Sequence, residues 1–314
     1  MKHIFIFNPT AGKSNAQDML IPKIREAQQL LNADVEIRET KYAGHAIELS
    51  RQAAAQDEPV RLYACGGDGT LNEVLCGMHE ACPAPEHVEV GHIPCGSGND
   101  MIRNFGPSEE FLNISVMMTA GSRRIDLIEA NNRMAASICA VGLDAKVAYN
   151  IPLFRRLPFC GGSMAYDLSV LKVLIGKLDY HMTVECEEGC FEDDFLLAAI
   201  GNGSYYGGGY YSLPNALVDD GLLNVILVKK ISLLKIPPIL ARYKAGTHFA
   251  ADGTVADDMK DIMISLATKE IRIHCDRGFY CTIDGECIFE RDVHVRVLPG
   301  AARFILPYTE SEQL

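Results

Sequence analysis

The sequence predicts an α/β N-terminal domain built on a parallel sheet, followed by a mainly β C-terminal sandwich domain. Three observations carry this. Over the first hundred residues, short apolar runs alternate with segments whose apolar residues recur at helical spacing, the grammar of strand–loop–helix units. Three polar glycine turns, Asn8–Gly12, Gly66–Thr70 and Gly96–Asp100, each close such a run, at the strand ends where open α/β sheets bind ligands. Beyond Gly121 short β-like runs follow one another with few helical segments between them, as in a sandwich or barrel.

The elements follow in order. Residues 2–7 read as a strand, closed by Asn8-Pro9-Thr10-Ala11-Gly12-Lys13-Ser14. That turn lacks the first glycine of a P-loop and meets its G-K-[ST] register only in part, so it reads as a different phosphate turn. A helix is expected over 16–31 with Ile21, Ile24 and Leu31 inward, then a strand at 35–40, a helix at 45–55 and strands at 62–65 and 88–93. Further strands are expected at 123–128, 134–141, 180–185, 195–202, 223–229, 262–266, 271–274, 280–283 and 294–297. Helical segments at 163–178 and 233–243 interrupt them. The domains are expected at 1–122 and 123–299, with the tail from about 300 to 314, including a strand at 302–306, able to return to the first domain.

At 314 residues the chain has room for two cores. No run approaches the roughly eighteen apolar residues of a membrane span, and residues 1–8 read as the first strand rather than a signal peptide. A net charge of −12 argues against nucleic acid. It also argues against electrostatic docking on an anionic bilayer unless a local basic patch, such as Arg155-Arg156, supplies it. Eleven cysteines without a C-x-x-C pair or zinc-like spacing read as reduced, mostly buried thiols of a cytoplasmic protein.

The organising stretch is Cys65-Gly66-Gly67-Asp68-Gly69-Thr70-Leu71-Asn72-Glu73-Val74. It reads as strand, glycine turn and helix N-terminus, whose free amides and dipole suit an anion. A carboxylate beside phosphate needs a metal or a proton transfer to offset the repulsion; a plain turn with a capping Asp68 is the other reading. Asp219-Asp220-Gly221 and Asp284-Gly285-Glu286 carry the D-G signal of hairpin turns. On a strand end, Asp284 and Glu286 would project to the same side. The glycine- and tyrosine-rich stretch 202–211 fits a lipid-lining wall or a mobile loop equally well. Leu153, Phe154, Leu157, Pro158 and Phe159 around Arg155-Arg156 fit a membrane-touching lid or core packing. The acidic run Glu187, Glu188, Glu192, Asp193 and Asp194 reads as a solvated hairpin.

Taken together, Gly66–Thr70, Pro94-Cys95-Gly96-Ser97-Gly98-Asn99-Asp100 and Asp284-Gly285-Glu286 resemble the diacylglycerol kinase catalytic family, above all the soluble bacterial diacylglycerol kinase and YegS-like lipid kinases. Asn8–Gly12, Ile125-Asp126-Leu127 and 215–221 extend the resemblance, in order, over nearly the whole chain. The GGDGT element alone is shared with NAD kinases and phosphofructokinases; the combination favours lipid kinases.

The resemblance implies a Rossmann-like first domain of the NAD kinase and phosphofructokinase type, with ATP and Mg2+ as cofactors. It places an ATP cradle on Asn8, Pro9, Thr10, Ala11, Gly12, Thr40, Gly67, Asp68, Gly69, Thr70, Leu71, Asn72, Glu73, Gly96 and Ser97, the last where the family usually has threonine. Asp126 would help hold magnesium through water, and Asp220 with the Leu217 and Leu222 carbonyls would hold a second, structural magnesium. Glu286, Asp284 and Asp68 would be catalytic, with Glu286 the general base. The implied activity is ATP- and Mg-dependent phosphoryl transfer to a lipid hydroxyl, of diacylglycerol or a related lipid. The implied partner is a lipid substrate met in transient contact with a membrane surface; the net charge argues against nucleic acid, and for the open question of oligomeric state a closed homodimer is the commonest default. Two alternatives stay open: NAD kinase-like phosphorylation of a soluble hydroxyl compound, and a non-catalytic nucleotide- or lipid-binding module. Residue types alone do not choose the acceptor.

Overall fold

The computed structural model describes residues 1–12, 16–83, 86–155, 157, 163–174 and 180–308. Lys13, Ser14, Arg156, Pro158, Phe159, residues 175–178 and the tail after 308 lie outside them. The chain forms two units, Met1–Leu127 with Pro299–Leu314, and Ile128–Leu298.

In the first unit, β1 (Lys2–Phe7), α1 (Ala16–Leu31), β2 (Asp34–Glu39), α2 (His45–Ala54), β3 (Val60–Gly66), α3 (Asp68–Ala81) and β4 (Val88–Pro94) alternate. A short helix, α4 (Ile114–Thr119), and β5 (Ser122–Ala130) follow. The parallel strands run in the order β2-β1-β3-β4. Phe304, on the last strand of the chain, pairs with Val90 beyond β4 in parallel. β3 and β4 are buried along their whole length, which is why they read as mainly apolar runs, with Arg61, Glu89 and His92 as buried polar exceptions. α1 buries Leu20, Ile24 and Ala27, an i, i+4, i+7 stripe. Ile21 and Leu31, expected inward, are only half-buried, because the helix is phased one residue earlier. Strand order reverses between β1 and β3, and the crevice at such a switch point is where a doubly wound sheet takes its ligand.

The second unit contains β6 (Arg133–Ala135), β7 (Ile138–Gly142), α5 (Leu143–Arg155), α6 (Ser163–Leu174), β8 (Tyr180–Cys186) and β9 (Gly189–Gly201). The short β10 (Tyr205–Tyr206) and β11 (Tyr210–Tyr211) come next, then β12 (Leu223–Lys229), α7 (Ile236–Ala245), β13 (Met263–Thr268), β14 (Glu270–Ile283) and β15 (Glu286–Ile305). β9 pairs with β8 through its first half and with β7 and β12 through its second. β14 does the same with β8 and β7. These two long strands therefore pass from one sheet to the other, as sandwich corners require. Cys139, Val141, Ala198, Ile200, Val225 and Leu227 point into the core between the sheets. Their alternates Ala140, Leu197, Ala199 and Ile226 form a second apolar layer with residues of α5, α6 and α7, the period-two alternation of a sheet covered on both faces.

Several expectations change here. The run 134–141 is two strands broken at Ala136 and Ser137. The expected strands 271–274 and 280–283 are one strand, β14, with a register shift between His274 and Phe279. Those at 294–297 and 302–306 are both β15. Helix α5 covers a stretch without clear periodicity, where Pro152 argues against a helix interior. Tyr206 and Tyr210 belong to the apolar layer, joined by three glycines at φ +65, +84 and +103, a turn that other residues adopt only under strain. Of the ten described cysteines, all free, only Cys65, Cys139, Cys275 and Cys281 are fully buried. Among the described residues no helix is long and apolar enough to cross a membrane.

Candidate active site

In the first unit the three glycine turns are tied to one another. Asn8 leaves β1 with its amide on the Cys65 carbonyl (3.0 Å). Its side-chain Nδ2 donates to Thr70 Oγ1 (3.1 Å), and its Oδ1 accepts from the amide and hydroxyl of Thr10 (3.0 and 2.8 Å). Gly12, at φ +71, lies so close to the β4 turn that a Cβ would stand 1.8 Å from the Cys95 carbonyl oxygen. The Gly66 carbonyl accepts from the amides of Cys95 (2.8 Å) and Gly96 (3.2 Å). A Cβ on Gly96 would fall 2.5 Å from the Gly67 Cα. Asp68 completes the tie, its Oδ1 accepting from the amides of Asp100 (2.6 Å) and Met101 (3.4 Å).

Gly67 caps α3, and Asp68 is its first residue, making no side-chain cap. The first helical amides have no acceptor inside the helix. A Cβ on Gly69 would meet nothing within 4 Å. Donors, helix dipole and open approach therefore coincide at Gly67–Gly69, as phosphate binding needs. Pro9, Thr10 and Ser97 are exposed around this rim, and Ala11 is half-buried.

Other expected cradle side chains serve the fold. Leu71 is wholly buried. The Glu73 carboxylate takes the amides of Gly44 (2.9 Å) and Ala46 (3.1 Å), capping α2 from α3. Thr40 is buried at the end of β2 with its amide on the Phe7 carbonyl (2.8 Å), and buried Asn72 accepts from the Cys76 thiol (3.7 Å). Asp126, buried on β5, accepts the Gly300 amide (2.7 Å).

His92 lies within the largely apolar run of β4, where no sequence motif marks it. It is fully buried, and its Nε2 lies 3.1 Å from the Gly66 carbonyl, so the neutral ring donates there. Burial lowers its pKa, against the opposing pull of Asp68. Burial also pushes the Cys95 thiol beside this turn up to about 11, which favours its protonated form at neutral pH.

In the second unit, Asp284 and Gly285 form a two-residue hairpin loop between Ile283 and Glu286, at φ +44 and +92, the signs of a type I′ turn. The turn replaces the pleat, so the expectation that Asp284 and Glu286 share a side does not carry over. The Asp284 carboxylate accepts from three successive amides: Ala136 (2.6 Å, Oδ2), Ile138 (2.9 Å, Oδ1) and Ser137 (3.2 and 3.3 Å, both oxygens). Buried Asn202 holds the same loop from its other side, its amide on the Ser137 carbonyl (3.0 Å). Glu286 is exposed, with an Arg133 nitrogen at 3.7 Å.

Nearby in the chain, Asp144 opens α5 and is buried. Tyr206 donates to its carboxylate, and the Tyr206 and Tyr243 hydroxyls are 2.7 Å apart. Burial lifts the Asp144 carboxyl to about 6, with the Tyr206 bond opposing.

Asp220 is exposed between β11 and β12, with Oδ1 on the Leu222 amide of its own loop (3.0 Å); Leu217 is exposed and Leu222 half-buried. Among the described residues no group of three His, Cys, Asp or Glu side chains could hold a metal. Asp68 and Asp220 each offer a single carboxylate, a ligand type that a magnesium ion keeping most of its water can take.

Comparison with known proteins gives the family. Residues 2–130 match the family described as "Diacylglycerol kinase catalytic domain", and residues 137–306 match "YegS C-terminal NAD kinase beta sandwich-like domain". A Shewanella frigidimarina protein named "Probable lipid kinase YegS-like" is 29% identical over 255 residues, 81% of this chain and 79% of its own. The diacylglycerol kinase of Bacillus subtilis is 24% identical over 312 residues, covering 98% of this chain and 97% of its own. A crystal structure of a diacylglycerol kinase from Bacillus anthracis str. Sterne shares the fold at a TM-score of 0.69 and 20% identity, covering 99% of this chain and 97% of that one. With both halves matched in order, the chain belongs to the family of diacylglycerol kinases and YegS-like lipid kinases.

Proposed function

We propose that this protein is an ATP- and magnesium-dependent lipid kinase, with the first unit holding the nucleotide and the second carrying the acceptor-side residues. The observation that carries the reading is the tying of the Asn8, Gly67 and Gly96 turns into one rim at the N-terminus of α3. Phosphoryl transfer is mostly positioning and charge neutralisation. Backbone amides of Gly67–Gly69 hold phosphate oxygens. Thr10 and Ser97 line the rim with hydroxyls, and Asn8 fixes the turn that presents Thr10.

Asp68 and Asp126 would hold magnesium, Asp126 through water; Asp220, with the Leu217 and Leu222 carbonyls, would hold the structural ion. Magnesium, when bound, supplies positive charge that offsets the phosphates. Glu286 takes the proton of the acceptor hydroxyl as that oxygen bonds the γ-phosphorus and the bond to the ADP oxygen breaks. Asp284 is the positioning partner, fixing the turn from which Glu286 projects. The acceptor is a lipid hydroxyl, of diacylglycerol or a relative, reached by transient contact with a membrane.

The test is labelled ATP offered with a panel of lipid and soluble alcohols, products separated by phase, for wild type and Glu286→Gln. Label in the organic phase, reduced roughly a hundredfold or more in the variant while ATP binding persists, is expected for a general base. Label confined to the aqueous phase would replace the lipid acceptor with a soluble one. Full turnover in the variant would remove Glu286 as base.

A further inference from the structure

The segment from the end of β12 through α7 is built unlike an ordinary surface helix. Its inward stripe is regular: Ile236 and Tyr243 are buried and Leu240 packs against the same apolar layer. A solvated helix would then carry polar and acidic residues outward. Here the exposed positions 232–235, 237, 238, 241, 244 and 245 are serine, leucine, proline, alanine and lysine. Leu233 is 51% exposed and Leu234 89%, side by side on a single 3-10 turn.

The turn is braced. The Lys229 amide bonds the Ile262 carbonyl (2.8 Å), Lys230 the Asp194 carbonyl (2.7 Å) and Lys235 the Ser232 carbonyl (2.9 Å). Scattered exposed leucines need no explanation. Two adjacent ones, held out on a braced turn ahead of a helix apolar on both faces, call for a partner.

Charge identifies it. Residues 229–244 hold five Lys or Arg and no Asp or Glu, in a chain of net charge −12. Lys229, Lys230 and Arg242 meet Asp193, Asp194 and Asp258. Lys235 and Lys244 remain on the exposed face, Lys244 over the Tyr210 ring. Apolar tips flanked by lysine suit an interfacial site, where leucine enters the acyl boundary and lysine meets anionic headgroups.

We propose that the Leu233–Leu234 turn, with Lys235 and Lys244, docks this protein on an anionic lipid bilayer. This rests on the lipid-kinase reading only for its purpose; the surface stands on its own residues. The chain has no tryptophan, so Leu234→Trp installs a single fluorescent reporter. Its emission is expected to shift blue with vesicles of phosphatidylcholine and phosphatidylglycerol, and not with phosphatidylcholine alone.

Wild type should sediment with the mixed vesicles. Leu233→Ser/Leu234→Ser should lose at least about tenfold in binding, given what burying a leucine contributes. Lys235→Gln should lose about fivefold, given the worth of a juxtamembrane charge. Turnover of a dispersed short-chain diacylglycerol should not change in either. An unshifted reporter, or a double variant that sediments as wild type does, would overturn the proposal. So would a double variant that instead converts a dimer to monomer, which would assign this face to a second copy. Wild type that binds vesicles yet labels no lipid would end the lipid-kinase reading and leave this surface standing.

Discussion

Asp284→Asn separates holding from chemistry. The native carboxylate accepts from the amides of Ala136, Ser137 and Ile138. Asparagine offers one acceptor oxygen and turns an NH2 toward donors, so about two of these contacts are lost. It tolerates the positive φ of this turn as aspartate does, so no backbone strain is added. A hydrogen bond to a charged group is worth about 1.5–3 kcal/mol. For a half-buried group the loss is expected at about 2–4 kcal/mol, near the size of a removed buried network partner. Over a unit of this size that corresponds to about 5–10 °C in melting temperature. Urea and thermal unfolding of both proteins, at matched pH, read this directly. Unchanged stability would refute the holding role, and a stable variant without turnover would make Asp284 a chemical group instead.

The remaining predictions are shorter. Gly96→Ala drives a methyl into the Gly67 Cα, 2.5 Å away, and overpacking of about 1–3 kcal/mol should part the two turns and weaken ATP binding at least tenfold by calorimetry; unaltered affinity would exclude these turns from the cradle. Asp144, neutral at low pH because burial lifts its pKa from 3.8 to about 6, contributes stability that is complete below pH 4 and lost as pH rises through 6, about 3 kcal/mol at most; Asp144→Asn should flatten that slope and be the more stable protein at pH 8, and a less stable variant there would reverse the sign. Glu89 is buried between Arg61 (2.7 Å), Ser122 (2.7 Å) and Arg303 (2.6 Å), so Glu89→Gln, which leaves buried charge unpaired, should cost about 3–5 kcal/mol in chemical denaturation; a loss below one would mean that water reaches Arg61.

What was legible in the sequence was local. Strands β1, β3 and β4 announce themselves because burial on both faces favours mainly apolar runs, and their glycine turns follow within a few residues. β14 and β15 were not legible as long strands. The register shift between His274 and Phe279 breaks the alternation, and the polar stretch around Arg291 and Asp292 looks like a loop until a partner strand is supplied. Helix α5 hid behind Pro152. The motif places Glu73 on the phosphate side, yet its partners, Gly44 and Ala46, lie at the N-terminus of another helix almost thirty residues earlier. Residue types specify what a side chain is able to bond; only the fold decides which distant amide it meets.

The same distinction bears on which carboxylate takes the proton. Asp68, Asp126, Asp220 and Asp284 each spend an oxygen on backbone amides. Such groups are fixed acceptors, good for orienting a turn or a hydrated cation. A general base must instead approach a hydroxyl, accept its proton and later release it. For Asp284, accepting a proton means giving up amides that hold the loop between β6 and β7, a loss the fold resists at every turnover. Glu286, one turn away, is exposed, and its contact with Arg133, at 3.7 Å, is long enough to break and remake cheaply. On the proposed reading, Glu286, held only by that long contact, is therefore the carboxylate suited to take the proton, and Asp284 keeps the turn in place.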